Sequence, residues 1–201
     1  MDEALRIVVG LGNPGPEYAD TRHNIGFRLL DRLAGDLAAE PAETVGSCRV
    51  ARATRGGLRV VLIAPLRFMN RSGPALRTVP ESTAAGPEQH LVVLDDVWLP
   101  FGALRFRPGG GSGGHKGLAS VLESLESTSV PRLRLGVGGA EERDLADHVL
   151  ESFTRDEEAA MDPWLERASQ AVQVFLTEGV ETAMTRFNGP GGGRVPGPPE
   201  T

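Results

Sequence analysis

Leu5-Arg6-Ile7-Val8-Val9-Gly10-Leu11-Gly12-Asn13-Pro14-Gly15 is the stretch on which the fold turns. Leu5 to Val9 is a short apolar run rich in β-branched residues. It ends in glycines, the pattern of a buried strand that stops in a tight turn. A helix comes next. Ile25, Leu29, Leu30, Leu33 and Leu37 recur at helical spacing, so Thr21 to Ala39 reads as one helix with Thr21 or Asp20 as its cap.

Working outward, Cys48 to Ala53 and Leu58 to Ala64 alternate around Arg55-Gly56-Gly57 and predict a hairpin. A helix is expected from Ser72 to about Glu81, limited by Pro80. Leu91 to Leu94 is a second buried strand ending in Asp95-Asp96, and Ala103 to Arg107 is another. Gly109 to Gly114 reads as a flexible loop, His115 to Leu125 as a helix and Arg132 to Val137 as a strand. Asp144 to Glu151 reads as a short helix. Glu157 to Phe187 reads as a long one, with Met161, Leu165, Ala168, Val172, Phe175 and Leu176 on one face. Strands alternating with helices define the class as α/β, a single domain over residues 1–188 with one mixed, mostly parallel twisted sheet flanked by helices. The Gly- and Pro-rich tail, residues 189–201, lacks apolar periodicity and is expected to be disordered.

The composition narrows the function. With 201 residues, 40% of them hydrophobic, the chain can bury one real core. The formal net charge of −6 gives no overall attraction to nucleic acid. Yet Arg105, Arg107, Lys116, Arg132 and Arg134 fall close together, so a local basic face on an acidic protein is open. Cys48 is the only cysteine, which excludes an internal disulfide and a cysteine-based zinc site and fits a reducing, cytoplasmic setting. The N-terminus is too short and too acidic for a secretory signal, and no apolar run reaches the length of a membrane span.

Four clusters carry potential chemistry. Asn13 in the first glycine turn offers an amide donor, and His23 falls near the same strand end, where open α/β sheets bind ligands. Gly10, Gly12 and Gly15 have the spacing of a dinucleotide fingerprint, but Asn13 and Pro14 fill the stretch before the helix and the match fails. Phe68-Met69-Asn70 joins an apolar wall to a polar handle. Asp95-Asp96, at a strand end, supplies a carboxylate able to orient a histidine and stabilise its imidazolium. Gly109 to Gly114 leaves backbone N–H groups free to approach a phosphate or carbonyl before His115-Lys116-Gly117-Leu118 opens a helix. Singly, each cluster is equally a set of turns, caps and solvated charges.

Their joint order is specific. Gly-Leu-Gly-Asn-Pro-Gly, Tyr18, Thr-Arg-His-Asn-Ile-Gly, Phe-Met-Asn-Arg-Ser-Gly, Asp-Asp with Leu-Pro, and Gly-Gly-His-Lys-Gly-Leu together resemble bacterial peptidyl-tRNA hydrolase, from about Arg6 to Phe187. The strand Arg132-Leu133-Arg134-Leu135-Gly136-Val137-Gly138 matches as well. The resemblance implies a monomeric, cytoplasmic hydrolase that needs no metal or cofactor and cleaves the ester between a peptide and the 3′ end of tRNA. It implies His23 as the base, Asp95 as its orienting carboxylate, and Asn13 and Asn70 as amides at the reacting carbonyl. It places Tyr18, Phe68 and Met69 on the cleft walls, with Gly114, His115, Lys116 and Trp98 in or beside the cleft. Arg105, Arg107 and Arg134 are placed toward the tRNA.

Two positions depart from the family pattern. Lys116, the only lysine, replaces an asparagine, and Trp98 replaces an aspartate. Both changes shift the site by one positive charge. They leave two further readings open, a paralogue acting on an unusual acyl- or aminoacyl-tRNA and a silent binder of the tRNA acceptor end. Retention of Asn13, His23, Asn70 and Asp95 weighs against the silent binder.

Overall fold

The structure is a computed structural model, described for residues 4–139 and 145–188. The expected tail lies outside the described residues, as does Asp144 of the predicted short helix. In chain order the elements are β1 (Ala4–Gly10), α1 (Ile25–Asp36), β2 (Glu43–Val45), β3 (Cys48–Arg55), β4 (Leu58–Pro65), α2 (Ser72–Leu76), α3 (Pro80–Ala84) and β5 (His90–Asp96). Then follow β6 (Leu104–Arg107), α4 (Lys116–Ser124), β7 (Arg132–Gly136), α5 (Leu145–Leu150), α6 (Arg155–Ala159), α7 (Met161–Glu178) and α8 (Val180–Phe187). Short 3-10 turns at Arg22–Asn24 and Met69–Arg71 matter for the site.

All seven strands form one sheet in the order β2-β3-β4-β1-β5-β7-β6. The pairs β4–β1, β1–β5 and β5–β7 are parallel, and the outer pairs are antiparallel. Only β3 and β6 run against the rest, so the sheet is mixed and mostly parallel. Alternation along the central strands sends residues to two cores. Val8, Leu91 and Val93 pack on the face covered by α1, α7 and α8. Ile7, Val9, Val92 and Leu94 pack on the face covered by α2 and α4. No helix among the described residues is long and apolar enough to cross a membrane.

Three helical expectations are corrected. Thr21 to Ala39 is not one helix, since a tighter 3-10 turn over Arg22–Asn24 precedes α1. The side chains of Arg22 and Asn24 are taken by tertiary partners there, and Thr21 makes no side-chain cap. The Ser72 helix stops at Leu76, and Pro80 opens α3, its missing N–H being harmless at a helix start. The long C-terminal helix is three helices. Gly179, at φ 85°, breaks it between α7 and α8 in a backbone state other residues rarely adopt.

One close approach sets the geometry at the strand ends. Gly26 lies so near β1 and β5 that a β-carbon would come 2.5 Å from the Leu11 carbonyl oxygen and 2.9 Å from that of Val93. Glycine therefore lets α1 settle directly on the sheet, which brings the 3-10 turn carrying His23 over the carboxyl ends of β1 and β5.

Candidate active site

The site is assembled where β1, β5 and α4 meet. His23 rides on a turn anchored on both sides. Before it, Arg22 is buried, pairs with Glu157 at 2.9 Å and lies 5.0 Å from the Phe153 ring centre. After it, the Asn24 side chain accepts a hydrogen bond from the Asn13 backbone N–H at 2.8 Å and donates its NH2 group to the Asn13 backbone carbonyl at 2.9 Å. His23 is thus presented from a turn whose neighbouring side chains are tied into the fold.

Asp95, near the end of β5, is buried and receives two histidines on one oxygen. His23 Nδ1 lies 2.8 Å from Asp95 Oδ1, and His115 Nε2 lies 3.0 Å from the same atom. Burial alone would push the Asp95 carboxyl up. The hydrogen bonds from His115 and His23 outweigh it and hold the carboxyl well below the usual carboxylate range. As the carboxylate can only accept, His23 carries its proton on Nδ1, which leaves Nε2 as a base. His115 is also the cap of α4, and its Nδ1 accepts the Leu118 N–H at 3.2 Å. Both its nitrogens are therefore engaged within the protein, with the proton on Nε2. The three ligand-type atoms of His23, Asp95 and His115 lie within 4.8 Å of one another, close enough to share a cation, and are bonded among themselves.

Asn13 is buried, and its side-chain oxygen accepts the Met69 N–H at 2.8 Å. A backbone N–H can only donate, so the Asn13 NH2 group is directed away from Met69 as a donor. Asn70, the next residue on that turn, is exposed, and its amide makes no hydrogen bond among the described residues. Tyr18 and Phe68 meet edge to face at 6.3 Å, and Phe68 is 58% exposed, an apolar wall. Met69 is instead buried, in contact with Gly117 at the start of α4. A β-carbon at Gly117 would overlap the Met69 sulfur, so any other residue there requires that buried side chain to shift.

Asp96, next on β5, turns to the opposite side. It accepts the Trp98 backbone N–H at 3.0 Å and pairs with Arg134 Nε at 2.9 Å. Register places Arg105 opposite Arg134 and Arg107 opposite Arg132, so all four arginines share one face of the β6–β7 pair. Arg105 and Arg107 are exposed, and Arg134 is half-buried. Arg132 is a correction to the exposed basic cluster, since it is 3% exposed and hydrogen-bonded to loop carbonyls. Gly114 and Lys116 are exposed at the start of α4, and Trp98 is 72% exposed on the turn after β5. No hydrogen bond joins Lys116 or the Trp98 ring to His23, Asp95 or Asn13 among the described residues. The sequence alone did not show the anchoring parts of Arg22 and Asn24 or the pair of histidine hydrogen bonds on Asp95. The order Thr-Arg-His-Asn contained the residues without their distant partners.

A mostly parallel α/β sheet carries near its strand ends a carboxylate-held histidine and a buried amide donor, groups of the kinds that serve as a general base and as a donor to a developing oxyanion. The comparisons make this specific. The family model described as peptidyl-tRNA hydrolase matches residues 7–194. A peptidyl-tRNA hydrolase of Synechococcus sp. (strain JA-3-3Ab) is 48% identical over 189 residues, covering 92% of this chain and 83% of that one. One of Alkaliphilus oremlandii (strain OhILAs) is 41% identical over 185 residues, covering 92% and 100%. The crystal structure of peptidyl-tRNA hydrolase from Acinetobacter baumannii superposes with a TM-score of 0.82 at 31% identity, covering 92% of this chain and 95% of that one. The chain belongs to the peptidyl-tRNA hydrolase family.

Proposed function

We propose that this chain hydrolyses the ester bond joining a peptide, or an N-blocked aminoacyl group, to the 3′ end of tRNA, with His23 as general base. The observation that carries the reading is the 2.8 Å contact of His23 Nδ1 with buried Asp95, which leaves Nε2 unprotonated. His23 Nε2 takes a proton from water as the water oxygen attacks the ester carbonyl carbon. Asp95 stabilises the imidazolium so formed. The amide groups of Asn13 and Asn70 donate to the oxygen that gains negative charge, worth about 3 kcal/mol for one such donor in a known case. As the tetrahedral species collapses, the bond from carbon to the ribose 3′ oxygen breaks and that oxygen takes the proton from His23, giving free tRNA and a peptide carboxylic acid, which loses the second water proton to solvent.

Tyr18, Phe68 and Trp98 fit the peptide and the terminal base, with Met69 supporting the wall from behind. Arg105, Arg107, Arg134, Lys116 and the Gly114 turn fit the tRNA phosphates, and His115 steadies Asp95. The reading includes action as a monomer in the cytoplasm. The test is release of N-acetyl-aminoacyl groups from tRNA by the purified protein, with His23→Ala as control. Equal rates for the two proteins defeat the proposal.

A further inference from the structure

Arg132 is buried to 3% exposure, and no carboxylate pairs with it among the described residues. Its guanidinium donates only to backbone carbonyls. Nη1 reaches Gly110 at 2.7 Å and Gly111 at 2.9 Å. Nε and Nη2 reach Val130 at 3.1 and 2.9 Å, and Nη2 also reaches Thr128 at 3.4 Å. A guanidinium stays charged at any pH a protein meets, so this burial is costly and only the planar fork makes it tolerable. An apolar side chain of similar length would fill the space without that desolvation.

The four carbonyls belong to two segments, one on each side of α4. Gly110 and Gly111 lie in the loop that enters α4, and Thr128 and Val130 lie in the loop that leaves it. The Gly110 N–H donates to the Thr128 carbonyl at 2.9 Å, so the two loops touch at the guanidinium. Arg132 itself stands on β7, which is paired with β5 from Val92↔Arg132 to Asp96↔Gly136. One side chain therefore bolts both ends of α4 to the strand beside Asp95. The residue that caps α4 is His115, whose Nε2 donates to Asp95.

We infer that Arg132 is a positioning residue for hydrolysis. It fixes the loop leading into α4 so that His115 stays on Asp95, and Asp95 in turn stays fixed opposite His23. The inference rests on the proposed hydrolysis for its kinetic part alone. The shape of the loop is a separate physical claim.

The experiment is a double-mutant cycle between Arg132→Met and His115→Ala, read in kcat on N-acetyl-aminoacyl-tRNA. Arg132→Met lowers kcat about tenfold in the wild-type background and less than about twofold when His115 is already alanine, because its effect runs through that ring. Equal losses in both backgrounds overturn the inference and leave Arg132 as ordinary core. A structural measurement accompanies it, the imidazole nitrogen shifts of His115, which report its tautomer and its bond to Asp95. In Arg132→Met the wild-type signature is lost, and its persistence overturns the inference without reference to activity. If wild-type protein releases no acyl group, the proposed hydrolysis fails while the shifts still decide the role of Arg132. If Arg132→Met does not fold, Arg132→Lys, which keeps the charge and loses the fork, goes through the same cycle and the same shift measurement. The same two outcomes decide the matter.

Discussion

Asp95→Asn isolates the charge behind His23 while leaving the volume unchanged. In the native site Asp95 Oδ1 lies 2.8 Å from His23 Nδ1, and the carboxyl is held ionised by His115 and His23 against the effect of its burial. When His23 takes the proton from water, an imidazolium forms beside that carboxylate. Two unit charges about 4 Å apart at an effective dielectric near 20 attract by about 4 kcal/mol. Asparagine offers an oxygen of the same reach and no charge, so this stabilisation is lost as the transition state forms. At 1.36 kcal/mol per decade, that is a loss of about 10³-fold in kcat. Rotation of the amide to present its NH2 group would trap His23 as the wrong tautomer and add to the loss. KM is expected to hold within about twofold, because Asp95 is 4% exposed and donates nothing to the substrate. The assay is single-turnover release of N-acetyl-aminoacyl groups followed by acid precipitation, with melting curves as a folding control. A well-folded Asp95→Asn protein within about fivefold of wild-type kcat refutes the charge argument, since so small a loss is worth about 1 kcal/mol.

Three other perturbations read different parts of the structure. Gly26→Ala forces a β-carbon to 2.5 Å from the Leu11 carbonyl oxygen, against backbone that has no room to yield; a cost of about 3 kcal/mol is expected, lowering Tm by roughly 10 °C, and an unchanged melting curve contradicts the close packing. His90 is fully buried, with Nδ1 on the Gly86 carbonyl and Nε2 on the Ser82 hydroxyl, and burial pushes its pKa below 6.5. The folded state then favours the neutral ring, so its stability is complete above pH 6.5 and declines as pH falls from there through the lowered folded value, with a slope of at most about 1.4 kcal/mol per pH unit. Urea midpoints from pH 8 to 5 should fall more steeply for wild type than for His90→Gln, and parallel curves defeat the assignment. Arg107→Gln removes one exposed cation from the basic face, and the slope of log(kcat/KM) against log salt should flatten by about 0.7 to 0.9 for each phosphate that the protein no longer neutralises. An unchanged slope takes Arg107 off the tRNA path.

Local pattern carried much of this molecule into view. The run Leu5 to Val9, the hairpin about Gly56-Gly57 and the spacing of Ile25 to Leu33 each express a single period, and each forms the element that period demands. What stayed hidden depends on partners far away in the chain. Arg22 sits 135 residues from Glu157, beyond any local window, and Asn24 reaches Asn13 across the turn between β1 and α1, where no periodic pattern links them. Arg132 and Arg134 look equivalent on a strand, since positions two apart share a face. Only the loops at Thr128–Val130 and Gly110–Gly111 bury one of them and leave the other half-buried beside Asp96. Gly179 was invisible for a different reason. The apolar stripe passes across it, and a stripe reports which side is buried without reporting where the backbone turns.

The two departures from the family pattern can now be placed. Asn13, Asn24, His23, Asp95 and His115 are bonded through Asn13–Asn24 and through Asp95, mostly inside the protein, and neither Lys116 nor the Trp98 ring takes part in those bonds. Both face solvent, so on the proposed function their effect falls on what approaches the site. Lys116 also stands on the first residue of α4, where a cation opposes the helix dipole by about 0.3 to 1 kcal/mol. That cost disappears when an anion lies over the helix start, and the tRNA proposed as substrate carries phosphates. With Arg105, Arg107 and Arg134 on the β6–β7 edge, Lys116 adds a cation on the glycine-loop side, and Trp98 in place of an acid removes a charge that would repel the same phosphates. The two substitutions act in one direction electrostatically. On the proposed function, both would tighten the hold on the nucleic acid and leave the bond that is cut unchanged.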